Sequence, residues 1–171
     1  MKKLIAITIL LGICGAIVWA RIPGDKLPSG RPIDRIVIYK SKRTMNVYSG
    51  SEVLKTYNIS LGRNAAGDKK EQGDKRTPEG DYFIDGKNPG SAYHKNLGVS
   101  YPNERDIAEA RSKGIDPGGD IKIHGIRNGF GFIKKFHLFF DWTAGCIAVT
   151  DEEIDELYSN VKVGTPVSIR P

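Results

Sequence analysis

The sequence predicts a mainly β fold with short helices, forming a single domain behind an N-terminal membrane or signal segment. Three observations carry this. Short runs of β-branched and aromatic residues, separated by Gly-, Asn- and Ser-rich turns, recur from Ile33 to the C-terminus. Only two stretches bear the capping and charge signals of a helix. The uncharged run from Leu4 to Ala20 is unlike anything after it.

That run follows Met1-Lys2-Lys3 and ends at Arg21, with Thr8 its one polar side chain. Its length sits at the lower edge of the ~17–25 residues that cross a bilayer and above the usual signal-peptide core. Residues 1–21 are therefore a signal peptide cleaved after Val18-Trp19-Ala20, or a signal anchor holding the two lysines in the cytoplasm. Either way the remainder is exported, to the periplasmic or cell-wall face of the cytoplasmic membrane. Ile13 before Cys14 argues against a lipoprotein. Residues 22–32, rich in Pro and Gly, read as a linker, and 33–171 as one domain large enough to bury a core without disulfides. The formal charge of +6 suits an anionic envelope polymer or a membrane surface, or simply a solvated basic face. No basic run is interleaved with stacking aromatics, so nucleic acid is not an expected partner.

Within the domain, Ile36–Tyr39, Met45–Tyr48 and Val53–Ile59 read as an opening meander. Gly62 to Gly73 has almost no apolar residue and is expected to be a mobile surface loop. Thr77-Pro78-Glu79-Gly80 turns into a strand at Tyr82-Phe83-Ile84, Asp85 to Gly90 is expected to turn again, and Leu97–Tyr101 is a further strand. Asn103 caps a polar surface helix that Gly114 ends. Asp116 to Asp120 turns into the buried strand Ile121–His124, an excursion runs from Gly125 to Phe140, and Thr143 to Val149 re-enters the core. Thr150 with Glu153 forms a capping box opening the helix 151–159, and a strand over 166–169 closes the domain.

Cys146 is the one cysteine in the exported part, so it has no partner for an intramolecular disulfide. It is either a small buried hydrophobe or a nucleophile. His124, at a strand end like Cys146, is the available base. Gly125 and Gly145 flank the two groups; their lack of side chains admits a substrate backbone and leaves amides near Cys146 to face a developing oxyanion. A thiolate paired with an imidazolium would ionise below an ordinary cysteine. Three histidines and one useful cysteine, without HExxH or CxxC spacing, offer no metal site, and no cofactor is expected.

These residues resemble the L,D-transpeptidase catalytic domain family. The resemblance covers Ile33 to Pro171 and rests on Ser60-Leu61-Gly62, Thr77-Pro78-Glu79-Gly80-Asp81-Tyr82, Ile123-His124-Gly125 and Gly145-Cys146-Ile147. It implies peptidoglycan stem peptides in the cell envelope as substrate. Cys146 would attack the carbonyl of the third stem residue and release D-alanine, His124 would act as base and acid, and the Gly145 and Cys146 amides would hold the oxyanion. Ala148 stands where many members carry arginine, and Thr143-Ala144 where Ser or Thr often precedes His. Arg127 is a candidate replacement for the missing guanidinium, with a solvated loop arginine as the alternative. Asp141-Trp142-Thr143 looks like the signature of a subgroup that includes amidase-like hydrolases. An amine acceptor, water, or an amidase reaction therefore stay open, against the rival of a non-catalytic envelope-binding module.

Five further residues have two readings each. His137 packs beneath the excursion or orients the site. His94 lines the donor groove or sits on plain surface. Tyr93 and Tyr101 stack on substrate or belong to the core. Asp141 orients His124 or His137, or caps the turn before Trp142.

Overall fold

The structure, a computed structural model, describes residues 30–171 continuously and, ahead of them, residues 5, 8, 9, 12, 15, 18–22 and 24–28. Its elements are β1 Arg35–Tyr39, β2 Thr44–Ser49, β3 Glu52–Asn58, β4 Gly80–Ser91, β5 His94–Val99, α1 Glu104–Lys113, β6 Lys122–His124, a 3-10 segment Gly131–Phe139, β7 Ile147–Ala148, α2 Asp151–Asn160 and β8 Pro166–Arg170. The strands form one sheet in the order β3-β2-β1-β8-β4-β5-β6-β7. All pairs are antiparallel except β1 with β8 and β6 with β7.

Alternation explains the meander: on β1 and β2, Ile36, Ile38, Met45 and Val47 are fully buried on the core face, while Val37 is covered on the opposite face and the remaining neighbours are partly exposed. The C-terminal strand β8 then inserts between β1 and β4, so Val167 and Ile169 become core residues. β4 is where expectation and structure part. Asp85 to Gly90, read as a turn, lies within a twelve-residue strand whose pairing slips between Ile84 and Gly86 and again between Asn88 and Ser91. These bulges bend one strand so that its first half pairs with β8 and its second with β5. Gly and Asn in this stretch mark bulges, not a chain reversal.

Both capping boxes form: Asn103 with Asp106 opens α1, and Thr150 with Glu153 opens α2. Gly114 takes the left-handed C-cap of α1, which lies on the surface with only Ala110 buried. α2 packs against β5 and β6 through fully buried Ile154 and Leu157. The 3-10 segment, kinked at Lys134, is a piece the pattern did not signal.

Gly62 to Gly73 is pinned rather than loose. Lys40, 2% exposed, reaches Gly67 O at 2.5 Å, Thr77 O at 2.8 Å and Glu79 Oε1 at 2.8 Å. Lys69 Nζ meets Asp74 Oδ1 at 2.8 Å, and the Asp74 carboxylate also accepts the amides of Lys70, Glu71 and Arg76. Buried ionic contacts replace the missing apolar ones.

The expected leader or anchor and Cys14 lie largely outside the described residues. Residues 18–21 are helical, and the Trp19 ring lies tilted against Phe139 with ring centroids 5.6 Å apart. Among the described residues no helix is long and apolar enough to cross a membrane. The linker is more than a tether, since Leu27 packs on the core and donates its amide to Glu156 Oε1 at 2.6 Å.

Candidate functional site

Parallel pairing of β6 with β7 sets the site. Ile123 lies beside Ile147 and His124 beside Ala148, which places Cys146 one residue before β7 and level with Lys122, the first residue of β6. His124 and Cys146 both line a cavity of about 470 Å³, together with Arg63, Lys75, Tyr93, Lys122 and Trp142.

The strand end before Cys146 is tied down by the Ser60-Leu61-Gly62 block. Ser60 bridges Ala148, Thr143 N donates to Leu61 O at 3.1 Å, and Arg63 N donates to Thr143 O at 3.1 Å. Thr143 Oγ1 donates to Cys146 O at 2.7 Å and accepts the Gly145 amide at 3.1 Å. The Gly145 N–H, expected to face an oxyanion, is therefore engaged within the turn. Gly145 has φ +137°, and a Cβ there would meet Arg76 O at 2.7 Å. A Cβ on Gly125 would meet Asp151 Oδ1 at 2.6 Å. Both glycines make room for the protein's own chain, not for substrate.

His124 is 5% exposed, and its Nδ1 lies 2.7 Å from Gly125 O. A carbonyl can only accept, so Nδ1 carries the proton and, in the neutral ring, Nε2 carries the lone pair. Burial lowers its pKa from 6.5 to about 4, the Gly125 bond partly opposing this and the Lys122 charge adding to it. The Cys146 thiol lies 3.6 Å from Asp120 O. Burial pushes its pKa above the ordinary 9.0, against the Lys122 backbone N–H, which favours the thiolate. Burial thus favours the neutral thiol and the neutral imidazole at rest.

An aromatic frame encloses His124. Tyr93 lies 4.7 Å from it and Trp142 5.6 Å, edge-on, between ring centroids, and these two stack on each other at 6.0 Å. Trp142 Nε1 donates to His137 Nδ1 at 3.4 Å, and Ser60 Oγ donates to the His137 carbonyl at 2.8 Å. His137 is buried, its Nε2 has no partner, and burial followed by the His124 charge lowers its pKa to about 4. Its contact with the site runs through Trp142.

Other expected residues lie elsewhere. Tyr101 packs edge-on against Tyr82 in the core and donates to Pro117 O at 2.9 Å. His94 sits against Asp155 Oδ1 at 2.9 Å, outside the cavity lining. Arg127 is exposed and also outside it. Asp141 touches neither histidine; it takes a forked Arg43 guanidinium, Nη2 to Oδ2 at 2.7 Å, and accepts the Leu61 amide at 2.9 Å. Trp142, Arg63 and Lys75 are cavity residues that the sequence reading did not select. Trp142 stood inside the Asp-Trp-Thr segment, and Arg63 directly after Ser60-Leu61-Gly62; Lys75 carried no signal. Among the described residues no group of three or more His, Cys, Asp or Glu could hold a metal ion.

Comparison with known proteins finds relatives in both sequence and fold. The YkuD family, the L,D-transpeptidase catalytic domain, matches residues 33–169. The protein YafK of Escherichia coli (strain K12), named as an L,D-transpeptidase, is 30% identical over 139 residues, covering 77% of this chain and 48% of its own. The chain thus spans about half the length of the curated relatives it matches. A point mutant of the helical cell shape determining protein Pgp2 from Campylobacter jejuni superposes with TM-score 0.58 at 25% identity, over 88% of this chain and 52% of that one. An L,D-transpeptidase from Mycobacterium smegmatis, TM-score 0.52 at 17% identity over 80% and 58%, shares the fold.

Proposed function

The chain belongs to the L,D-transpeptidase catalytic domain family, and from that premise we propose that it is a peptidoglycan L,D-transpeptidase acting outside the cytoplasmic membrane. Cys146 Sγ attacks the carbonyl carbon of the third stem residue as His124 Nε2 takes the thiol proton. The tetrahedral adduct collapses to a thioester, and His124 returns the proton to the departing D-alanine nitrogen. An acceptor amine then adds to the thioester, losing its proton to His124 Nε2, and the thiol is regenerated when His124 gives that proton to the departing Cys146 Sγ.

The observation that supports this is the tautomer: Gly125 O holds the His124 proton on Nδ1 and leaves Nε2 as the basic atom of a ring whose residue lines the same cavity as Cys146. For the oxyanion we assign the Cys146 amide, joined by the Gly145 amide when Thr143 Oγ1 releases it. Arg63 and Lys75 take the part considered for Arg127, holding the donor's carboxylate at the mouth of the cavity. Ala148 is wholly buried, leaving that position no guanidinium to offer.

Transfer of the acyl group to water is the second reading, as a carboxypeptidase or, on a peptide-linked protein, an amidase. It is favoured by Ala148 and by the Asp141-Trp142-Thr143 segment. Incubation with disaccharide tetrapeptide, followed by mass spectrometry, separates these outcomes. A dimer supports transpeptidation, loss of D-alanine alone supports hydrolysis, and equal inertness of wild type and Cys146→Ala, with no acyl-enzyme, overturns both.

A further inference from the structure

Five of the chain's six phenylalanines fall between residues 130 and 140. Four of them remain exposed: Phe130 at 50%, Phe132 at 76%, Phe139 at 66% and Phe140 at 63%. Soluble surfaces rarely expose so many large apolar side chains in one segment without a use. The inner side of the same segment is committed to the fold, since His137 is buried beneath Trp142. The phenylalanines therefore mark an outer face whose one aromatic contact outside the segment, among the described residues, is Trp19.

Trp19 indicates what covers it. Trp19, next to last in the uncharged stretch of sequence from Leu4 to Ala20, lies against Phe139 and is still 42% exposed. Lys135 donates from Nζ to Ile22 O at 2.8 Å and lies 5.8 Å over the Trp19 ring, while the adjoining groove is lined by Arg21 and Lys26 together with Lys55, Asp25 and the α2 carboxylates of Glu152, Glu153 and Glu156. Lys134 is paired with Glu152 at 2.6 Å. Exposed aromatics beside basic side chains, continuous with an apolar run long enough to enter a bilayer, have the chemistry of the membrane interface.

We propose that the outer face of the segment from Phe130 to Phe140 binds the surface of an anionic lipid bilayer. The rings enter the headgroup and upper acyl region, while Lys135 and Arg21 meet lipid phosphates. This holds the domain flat against the membrane from which residues 4–20 extend, rather than swinging on them. The inference is independent of the chemistry at Cys146.

The test uses the full chain in vesicles of phosphatidylethanolamine and phosphatidylglycerol. Phe132→Trp is introduced, and its emission above the Trp19 and Trp142 background is compared with and without acyl-brominated lipid. A ring at the headgroup–acyl boundary should lose about half its emission or more. The same residue placed by Ile107→Trp, at an exposed position on α1, should keep its emission. Adding Phe139→Ser and Phe140→Ser should bring the Phe132→Trp signal to the Ile107→Trp level. The proposal is overturned if Phe132→Trp is unquenched, if the serine variant is quenched equally, or if sedimentation in detergent shows the patch sealed by a second copy of the chain.

Discussion

The Nδ1–H of His124 donates to the carbonyl of its own neighbour, Gly125, at 2.7 Å. That bond leaves Nε2 as the ring's basic atom, and burial sets the pKa of the ring at about 4. The base therefore stays unprotonated well into acid. The acid limb of kcat/KM for the free enzyme should fall near pH 4, with activity lost as pH drops through it. A limb near the ordinary 6.5 would contradict the buried, neutral ring. His124→Ala should lower kcat by ~10²–10⁴-fold and abolish that limb.

Thr143 joins the turn to the nucleophile by two hydrogen bonds, one from the Gly145 amide and one to the Cys146 carbonyl. Thr143→Val removes both and leaves buried polar atoms unpaired, a loss of about 2 kcal/mol in urea unfolding. Displacing a nucleophile by a fraction of an ångström slows the chemistry steeply, so kcat should fall by ~10-fold or more. Thr143→Ser retains the hydroxyl and should stay close to wild type. Equal kcat in all three proteins would show the link to be inert.

Short-range patterns made much of this legible. The Thr150–Glu153 box and the Asn103 cap were written in sequence because a cap depends on residues three apart, whereas the return contact from Asp106 was not read. Cys146 and His124 were selected because each stands at a strand end beside a glycine, and β6–β7 pairing unites them. What local patterns could not carry were relations across the chain. The bulges that keep Asp85 to Gly90 in β4 depend on β5, and the Arg43–Asp141 contact spans 98 residues. Burial of His124, and the partial burial of Cys146 beside it, both of which favour the neutral forms, follow from the assembled core.

Arg63 and Lys75 place two cations on the cavity that contains Cys146, whereas Arg127 stands apart. If they hold a donor carboxylate, their loss weakens binding of ground and transition states alike. Arg63→Gln or Lys75→Gln should raise KM by ~10-fold or more with kcat little changed, as expected for one charge-assisted hydrogen bond of about 1.5–3 kcal/mol. Arg127→Gln should leave both constants unaltered. A fall in kcat without a rise in KM would place the two cations in the chemical step instead.

His124 and His137 both have pKa values near 4 in the folded protein, against 6.5 for an ordinary histidine. Between these values the unfolded chain binds protons that the folded chain refuses, so stability rises with pH across the window and falls on acidification. A gap of about 2.5 pH units corresponds to ~3 kcal/mol for each ring once the pH is below 4. Carboxylates whose pKa values are lowered, such as Asp74 and Glu156, add a further loss at the acid end. The contribution of one ring is isolated by difference. His137→Gln loses the Trp142 contact and should be less stable than wild type at pH 7, yet the two proteins should converge as pH falls from 6.5 to 4. Parallel urea midpoints across that range would mean that His137 takes up its proton inside the fold, which its buried and unpartnered Nε2 argues against.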